Sequence, residues 1–174
     1  MLERFLPDMF VDGILDIDLE MLKKNSIKGL ILDIGNTLVP PKMKEADENA
    51  VEWIDKVKKV GLKVCIVSNN SKKRVIKFNE RLKVFAIYKA YKPSKKALRQ
   101  AAMLMNIKES ETAVIGDQIF TDVFGGNRLD MLTVLVKPIA RNENIFIKFK
   151  RLCEKVILFR YKHKNSYYKH EKKE

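Results

Sequence analysis

Four short segments carry the side chains that could do chemistry: Asp33-Ile34-Gly35-Asn36-Thr37, Ser68-Asn69-Asn70-Ser71, Lys92-Pro93, and Gly116-Asp117-Gln118-Ile119-Phe120-Thr121-Asp122. Asp33 stands where the apolar run Leu30-Ile31-Leu32 gives way to a polar turn, which makes its carboxylate a candidate nucleophile or metal ligand. Asp33 and Asp117 offer the hard oxygen donors that a cation such as Mg²⁺ takes while it keeps several waters. Ser68, followed by backbone amides at a helix start, can hold phosphate oxygens, and Lys92 can offset charge that builds during phosphoryl transfer. Asn36, Thr37, Asn69 and Asn70 add hydrogen-bonding groups on the same turns and complete the candidate substrate-binding set. Each of them is also ordinary turn chemistry when taken alone. Asp122, one helical turn beyond Asp117, could hold Lys92 or a metal-bound water.

Those segments need elements that end side by side. Apolar stretches of strand length run from Gly29 to Asp33, Leu62 to Ser68, Val84 to Tyr88, Thr112 to Gly116 and Leu132 to Val136. Helical patterns separate them. Ala50, Trp53, Ile54, Val57 and Val60 recur at helical spacing behind the acidic Glu45, Asp47 and Glu48, and Gly61 stops the pattern. Ser94 caps a helix with apolar positions Ala97, Leu98, Ala101, Ala102, Leu104 and Met105, which Asn106 can close. Another helix is expected after Gly116. Strands alternating with helices predict a three-layer α/β fold, a doubly wound, Rossmann-like, mostly parallel sheet covered on both faces.

The 174 residues suit one domain, and no apolar run approaches the roughly 20 residues that cross a bilayer. The N-terminal Met-Leu-Glu-Arg-Phe-Leu-Pro-Asp holds acids and no long apolar region, so no export signal is expected and a cytoplasmic home is. Cys65 and Cys153 lack paired spacing and are expected to be reduced core residues. Residues 1–27 read as an N-terminal extension, with Leu15, Ile17, Leu19 and Leu22 packing on a core domain over 28–143. Residues 144–174 read as a basic amphipathic helix with the stripe Ile145, Phe149, Leu152 and Val156, followed by a loose tail from Lys162. Residues 141–174 hold 11 Lys/Arg against 4 Glu, more than half of the chain's net +13, which favours an anionic partner or serves solubility alone.

Taken together, the segments resemble the haloacid dehalogenase (HAD) superfamily of phosphotransferases, and specifically its capless subfamily IIIA. Within it the chain is similar to bacterial proteins related to mitochondrial phosphatidylglycerophosphatase. Phe5-Leu6-Pro7-Asp8, Asp16-Ile17-Asp18-Leu19, Ile27-Lys28-Gly29, Val64 to Ser71, Lys92-Pro93, and Gly116-Asp117-Gln118 through Asp122-Val123 to Gly125-Gly126-Asn127-Arg128 carry that likeness over nearly the whole chain. The resemblance implies a HAD-like fold without a cap domain and a Mg²⁺-dependent phosphomonoester hydrolase acting through an aspartyl-phosphate on Asp33. It implies Ser68 as the phosphate-binding hydroxyl, Lys92 as the charge-balancing lysine, and a metal site of Asp33, the Gly35 carbonyl and Asp117. The chain departs from the pattern at Gly35, where the family has an aspartate that protonates the leaving alcohol and later activates water. Metal binding and nucleophilic attack can survive that change. General acid and base help, on the order of 10²–10⁴ in rate, is expected to be missing, so substrates with good leaving groups should suffer least.

Asp33 and Ser68 are bridged by little more than one helix, and Ser68 and Lys92 by one helix and a short strand, so no lid domain is expected. An open site suits a phospholipid headgroup on a membrane, a macromolecule, or a homo-oligomer whose neighbour covers it. With the basic C-terminal segment this points to peripheral contact with the anionic inner membrane face through residues 144–174. Arg128 either reaches substrate phosphate or lies on the surface. No glycine-rich dinucleotide or Walker loop is present, and the only histidines, His163 and His170, lie in the tail, which excludes a nucleophile–histidine triad in the core. Two alternatives stand beside the phosphatase reading: a catalytically weakened homologue that binds a phosphorylated ligand or anionic membrane without turnover, and an RNA-associated basic protein whose Phe159, Tyr161, Tyr167 and Tyr168 stack on single strands.

Overall fold

The central strands are apolar on both faces of the pleat, so they can be buried only between two helical layers. The computed structural model, which describes residues 2–140 together with Leu152, Glu154, Val156, Ile157 and Phe159, shows that arrangement. Six strands form one sheet: β1 (Met9–Val11), β2 (Gly29–Leu32), β3 (Lys63–Val67), β4 (Phe85–Ile87), β5 (Thr112–Gly116) and β6 (Leu132–Val136). Their spatial order is β1-β6-β5-β2-β3-β4, and every neighbouring pair is parallel. All strands therefore present their carboxyl ends at one edge, and the centre of that edge is formed by β2 and β5.

Helices α1 (Leu19–Lys24), α2 (Glu48–Lys59) and α3 (Lys72–Leu82) cover one face, where Trp53, Ile54 and Phe78 pack on Leu30, Leu32, Ile66 and Ile115. Helix α4 (Lys95–Met105) covers the other, where Leu98, Ala101 and Met105 meet Ile31, Cys65 and Val114. The alternation of Leu30 and Leu32 against Ile31 is the strand period of two read out as two cores. Helix boundaries follow side-chain chemistry. The Asp47 carboxylate accepts from the Ala50 amide at 2.9 Å to start α2, and Gly61, at φ +87°, supplies the left-handed residue just beyond its end. Ser94 and Asn106 bound α4 in the same way, Asn106 at φ +51°.

The structure adds features that the sequence pattern lacks. Residues 9–11 form the edge strand β1, paired with β6 from Met9↔Val134 to Val11↔Val136. Three residues are too short to show a period. Ile17 and Leu22 are buried as expected, but Leu15 is 63% exposed, because it sits in a single 3₁₀ turn whose inward position is taken by Ile14. Leu104 is likewise exposed on the outer side of α4. The helix after Gly116 is short and irregular: a π-type turn, Ile119–Val123, runs into α5 (Phe124–Asn127). Gly125 and Gly126 lie inside α5, where a Cβ would press on Leu98 and Thr133, so they set close helix packing, and the helix ends at Asn127. The five described residues between 152 and 159 are helical, with Leu152, Val156 and Phe159 exposed. Ile145, Phe149, Cys153 and the tail from residue 160 onward lie outside the described residues.

Candidate active site

The carboxyl edge brings the four segments together. Asp33 follows the last residue of β2, and its amide is tied to the Ile115 carbonyl of β5 at 3.1 Å. Lys92, on the loop after β4, sends its ammonium between two carboxylates, 2.7 Å from Asp33 Oδ1 and 2.6 Å from Asp122 Oδ1. All three side chains are nearly buried. The other oxygen of Asp122 accepts from the Gln118 amide and the Thr121 hydroxyl, both at 3.2 Å. Asp122 therefore holds Lys92, one of the two roles the sequence left open.

Burial pushes the Asp33 carboxyl above its ordinary value, Lys92 opposes that shift, and the Asp122 charge adds to it. For Lys92, burial favours the neutral amine, but the Asp122 and Asp33 carboxylates outweigh it and hold the ammonium charged above the usual lysine range.

The remaining candidates divide into two groups. Ser68 is fully buried; its Oγ accepts from the Asn70 amide at 3.3 Å and from Asn70 Nδ2 at 2.8 Å, which leaves its own proton to donate. Thr37 donates to Asp117 Oδ1 at 3.4 Å, and both are buried. Asn69 and Asn36 instead use their side chains inside the protein. Asn69 Oδ1 accepts from the Lys92 amide at 2.7 Å, and its Nδ2 donates to the Lys92 carbonyl at 3.3 Å, clamping the backbone that carries the lysine. Asn36, at φ +65°, accepts from the Ala140 amide at 2.9 Å and so straps the segment after β6 to the Asp33 turn. Arg128 takes a course the sequence did not suggest: it donates to the Pro93 carbonyl and lies over the Phe124 ring, bracing the cis Lys92-Pro93 loop.

Sequence reasoning missed two contributors. Gly116 has no room for a Cβ, because the Asp122 carboxylate occupies that space. Glu154 is buried and accepts from the Ile119 amide at 2.9 Å, closing the start of the π-type turn. The first had a signal in the Gly-Asp pair; the second lies 35 residues away and had none.

The Asp33 and Asp117 carboxylates and the Gly35 carbonyl are hard oxygen donors of the kind that would hold a divalent cation. Asp33 Oδ1 is engaged by Lys92, and the carboxylate also takes a backbone hydrogen bond from Ile34. Among the described residues no cluster of three or more His, Cys, Asp or Glu side chains could enclose a metal. A site of this kind fits Mg²⁺, which accepts few protein ligands and retains water. Gly35 keeps its carbonyl, and a Cβ there would meet only Pro41 Cα, at 3.9 Å.

Solved structures share this architecture. The cobalt-bound deoxy-D-mannose-octulosonate 8-phosphate phosphatase of Haemophilus influenzae superposes with a TM-score of 0.55 at 15% identity, over 78% of this chain and 90% of that one. A protein from Listeria monocytogenes serotype 4b gives a TM-score of 0.55 at 20% identity, over 68% and 85%. These establish a HAD-like fold.

Sequence comparison is more specific. A family model described as mitochondrial PGP phosphatase matches residues 2–140. The chain is 44% identical over 160 residues to the "Probable phosphatase YqeG" of Bacillus subtilis (strain 168), covering 92% of this chain and 93% of that protein. It is 30% identical over 153 residues to Phosphatidylglycerophosphate phosphatase 1, chloroplastic/mitochondrial, of Arabidopsis thaliana; the match takes in 82% of this chain but spans only 43% of the plant protein. The chain belongs to the mitochondrial PGP phosphatase family, and it is a phosphatase.

Proposed function

We propose that this chain is a Mg²⁺-dependent phosphomonoester hydrolase that forms an aspartyl-phosphate on Asp33 and acts on phosphatidylglycerophosphate at an anionic membrane surface. The observation that carries the reading is the Lys92 ammonium bound between Asp33 and Asp122 at the carboxyl edge of β2. Asp33 supplies the oxygen that bonds to phosphorus as the bond from phosphorus to the substrate's alkoxy oxygen breaks. Lys92 offsets the charge that accumulates on the phosphoryl oxygens, and Asp122 keeps it charged and aimed. The Ser68 proton donates to a phosphoryl oxygen, and backbone amides after Asn69 supply further donors. Asn69 acts as a positioning residue through its clamp on Lys92, and Thr37 orients Asp117. Mg²⁺ held by Asp33, Asp117 and the Gly35 carbonyl would act as a Lewis acid on the phosphoryl group.

Gly35 carries no proton. The departing glycerol oxygen must take its proton from water, and water must attack the aspartyl-phosphate without a carboxylate to activate it. Slow turnover follows. The same observation favours the second reading, a weakened homologue that holds a phosphorylated ligand, membrane or RNA. The lipid substrate is supported by the name of the Arabidopsis relative and by the short connections between the site segments, which among the described residues hold no inserted domain. On this reading the protein works from the cytoplasm at the inner membrane face; among the described residues no helix is long and apolar enough to cross a bilayer.

Acid quenching with ³²P-labelled phosphatidylglycerophosphate tests the reading. Labelled protein that needs Mg²⁺ and is lost in Asp33→Asn is expected. An unlabelled parent chain would leave the binding role as the better account.

A further inference from the structure

One side of the mouth has an unusual surface. Residues 41–44 after β2, the first turn of α3, and residues 88–91 after β4 all project from the edge that bears Asp33. They are fastened to one another. Arg74 donates to the Pro41 carbonyl at 2.5 Å and to the Met43 carbonyl at 3.2 Å; the Lys89 amide donates to the Asn70 carbonyl at 3.0 Å; the Lys72 ammonium lies 5.7 Å from the centroid of the Tyr88 ring.

Outward from this frame stand Lys42, Lys44, Lys72, Lys73 and Lys89, exposed and engaged in no ion pair among the described residues. Lys77, one turn further along α3, is neutralised by Glu45 and Glu80, so the unpaired lysines of α3 are those of its first turn. Among these lysines Tyr91 is 74% exposed, Tyr88 40% and Met43 38%. The exposure of Tyr91 is built in: Lys89 and Tyr91 hold left-handed backbone at φ +47° and +51°, and the loop is pinned by the Ala90 amide on the Ser68 carbonyl at 3.1 Å.

We propose that this crescent seats the protein on an anionic lipid bilayer, its lysines over headgroup phosphates and Tyr88, Tyr91 and Met43 at the boundary between headgroups and acyl chains. Lysines near an anionic leaflet each strengthen binding roughly fivefold, and tyrosines favour that boundary because one end of the ring is apolar and the other polar. A thioether such as Met43 gains from entering lipid and gains nothing from a nucleic-acid phosphate. Seated in this way, the chain presents Asp33 to the headgroup layer. The docking face proposed here belongs to the α/β core. It shares the lipid of the proposed function but requires no turnover, so the two can fail separately.

The test uses the full chain carrying Asp33→Asn, cosedimented with vesicles of phosphatidylcholine alone or with added phosphatidylglycerol. Binding to the anionic vesicles is expected. It should fall at least tenfold with Lys72→Glu/Lys73→Glu and severalfold with Tyr91→Ala, and less than twofold with Lys56→Glu/Lys59→Glu, an equal charge change at the far end of α2. Circular dichroism melts confirm that each variant is folded. The proposal is overturned if the rim variants bind as the parent does, if the α2 control loses as much, or if the rim lysines support binding of single-stranded RNA but not of vesicles.

Discussion

The Asp122 carboxylate lies against Gly116, in the space that a β-carbon at position 116 would fill. The last residue of β5 must therefore be a glycine for Asp122 to reach Lys92. Gly116→Ala is expected to cost about 1–3 kcal/mol, as overpacking of a tight core does, and to lower kcat by displacing Asp122 from the lysine. Thermal melts and phosphatase kinetics on one preparation check both effects. A variant with the parent's stability and rate would show that Asp122 tolerates displacement.

Asp33 is expected to be a residue whose replacement stabilises the protein while removing its chemistry. Its folded pKa is raised above the ordinary carboxylate value, so the native state is favoured at low pH and loses that advantage as pH rises through the raised value. Above the ordinary carboxylate range, holding Asp33 in this buried site is therefore a net cost that Asn removes. In metal-free buffer at pH 7, Asp33→Asn should melt higher than the parent. Added Mg²⁺ should raise the parent's melting temperature but not the variant's, because only the parent keeps the site.

Lys92 shifts in the same direction, but its transition lies far above neutral pH, so at pH 7 it stabilises. Its pKa is raised by Asp122 and Asp33 against the pull of burial, so its stabilisation is present below the ordinary lysine range and lost as pH climbs through the raised value. Lys92→Met leaves two nearly buried carboxylates facing each other without a cation. Denaturant titration at pH 7 should show a loss of roughly 3–5 kcal/mol. A second-site Asp122→Asn should recover part of that loss, and no recovery would mean that the two carboxylates are not coupled through Lys92.

Much of this site was legible because α/β chemistry sits where strands end. Asp33, Ser68 and Asp117 mark abrupt apolar-to-polar changes at the ends of β2, β3 and β5, and Asp122 follows at helical spacing. The caps Ser94 and Asn106 were legible for the same local reason, whereas Asp47 read only as one of the acids ahead of α2. Strand β1 was not, since its evidence is pairing with β6 more than 120 residues away. Nor were the second roles of the asparagines. Asn69 and Asn36 read as groups for substrate because sequence shows which donors a turn carries; only folding shows that the Lys92 backbone and the Ala140 amide use them first.

Cys65 should behave as an inert core thiol. Burial pushes its pKa up to about 12, which leaves almost no thiolate at pH 8. Iodoacetamide at pH 8 followed by peptide mass spectrometry should find Cys65 unmodified in the native protein and fully modified in denaturant. Rapid native labelling would mean that the α4 face of the sheet opens readily.

The central claim is that Asp33 is the nucleophile of a site that lacks only its acid and base at position 35. Gly35 is not in the left-handed region, and a side chain there meets only an ordinary contact with Pro41, so Gly35→Asp can be made without strain. The deciding measurement is Mg²⁺-dependent phosphate release from p-nitrophenyl phosphate and from phosphatidylglycerophosphate by the parent, Gly35→Asp and Asp33→Asn. Gly35→Asp is predicted to raise the rate on the lipid by about 10²–10⁴, with a smaller gain on p-nitrophenyl phosphate, whose leaving group needs no proton. Asp33→Asn is predicted to abolish both activities. A Gly35→Asp protein no faster than the Asp33→Asn background on either substrate would contradict the account.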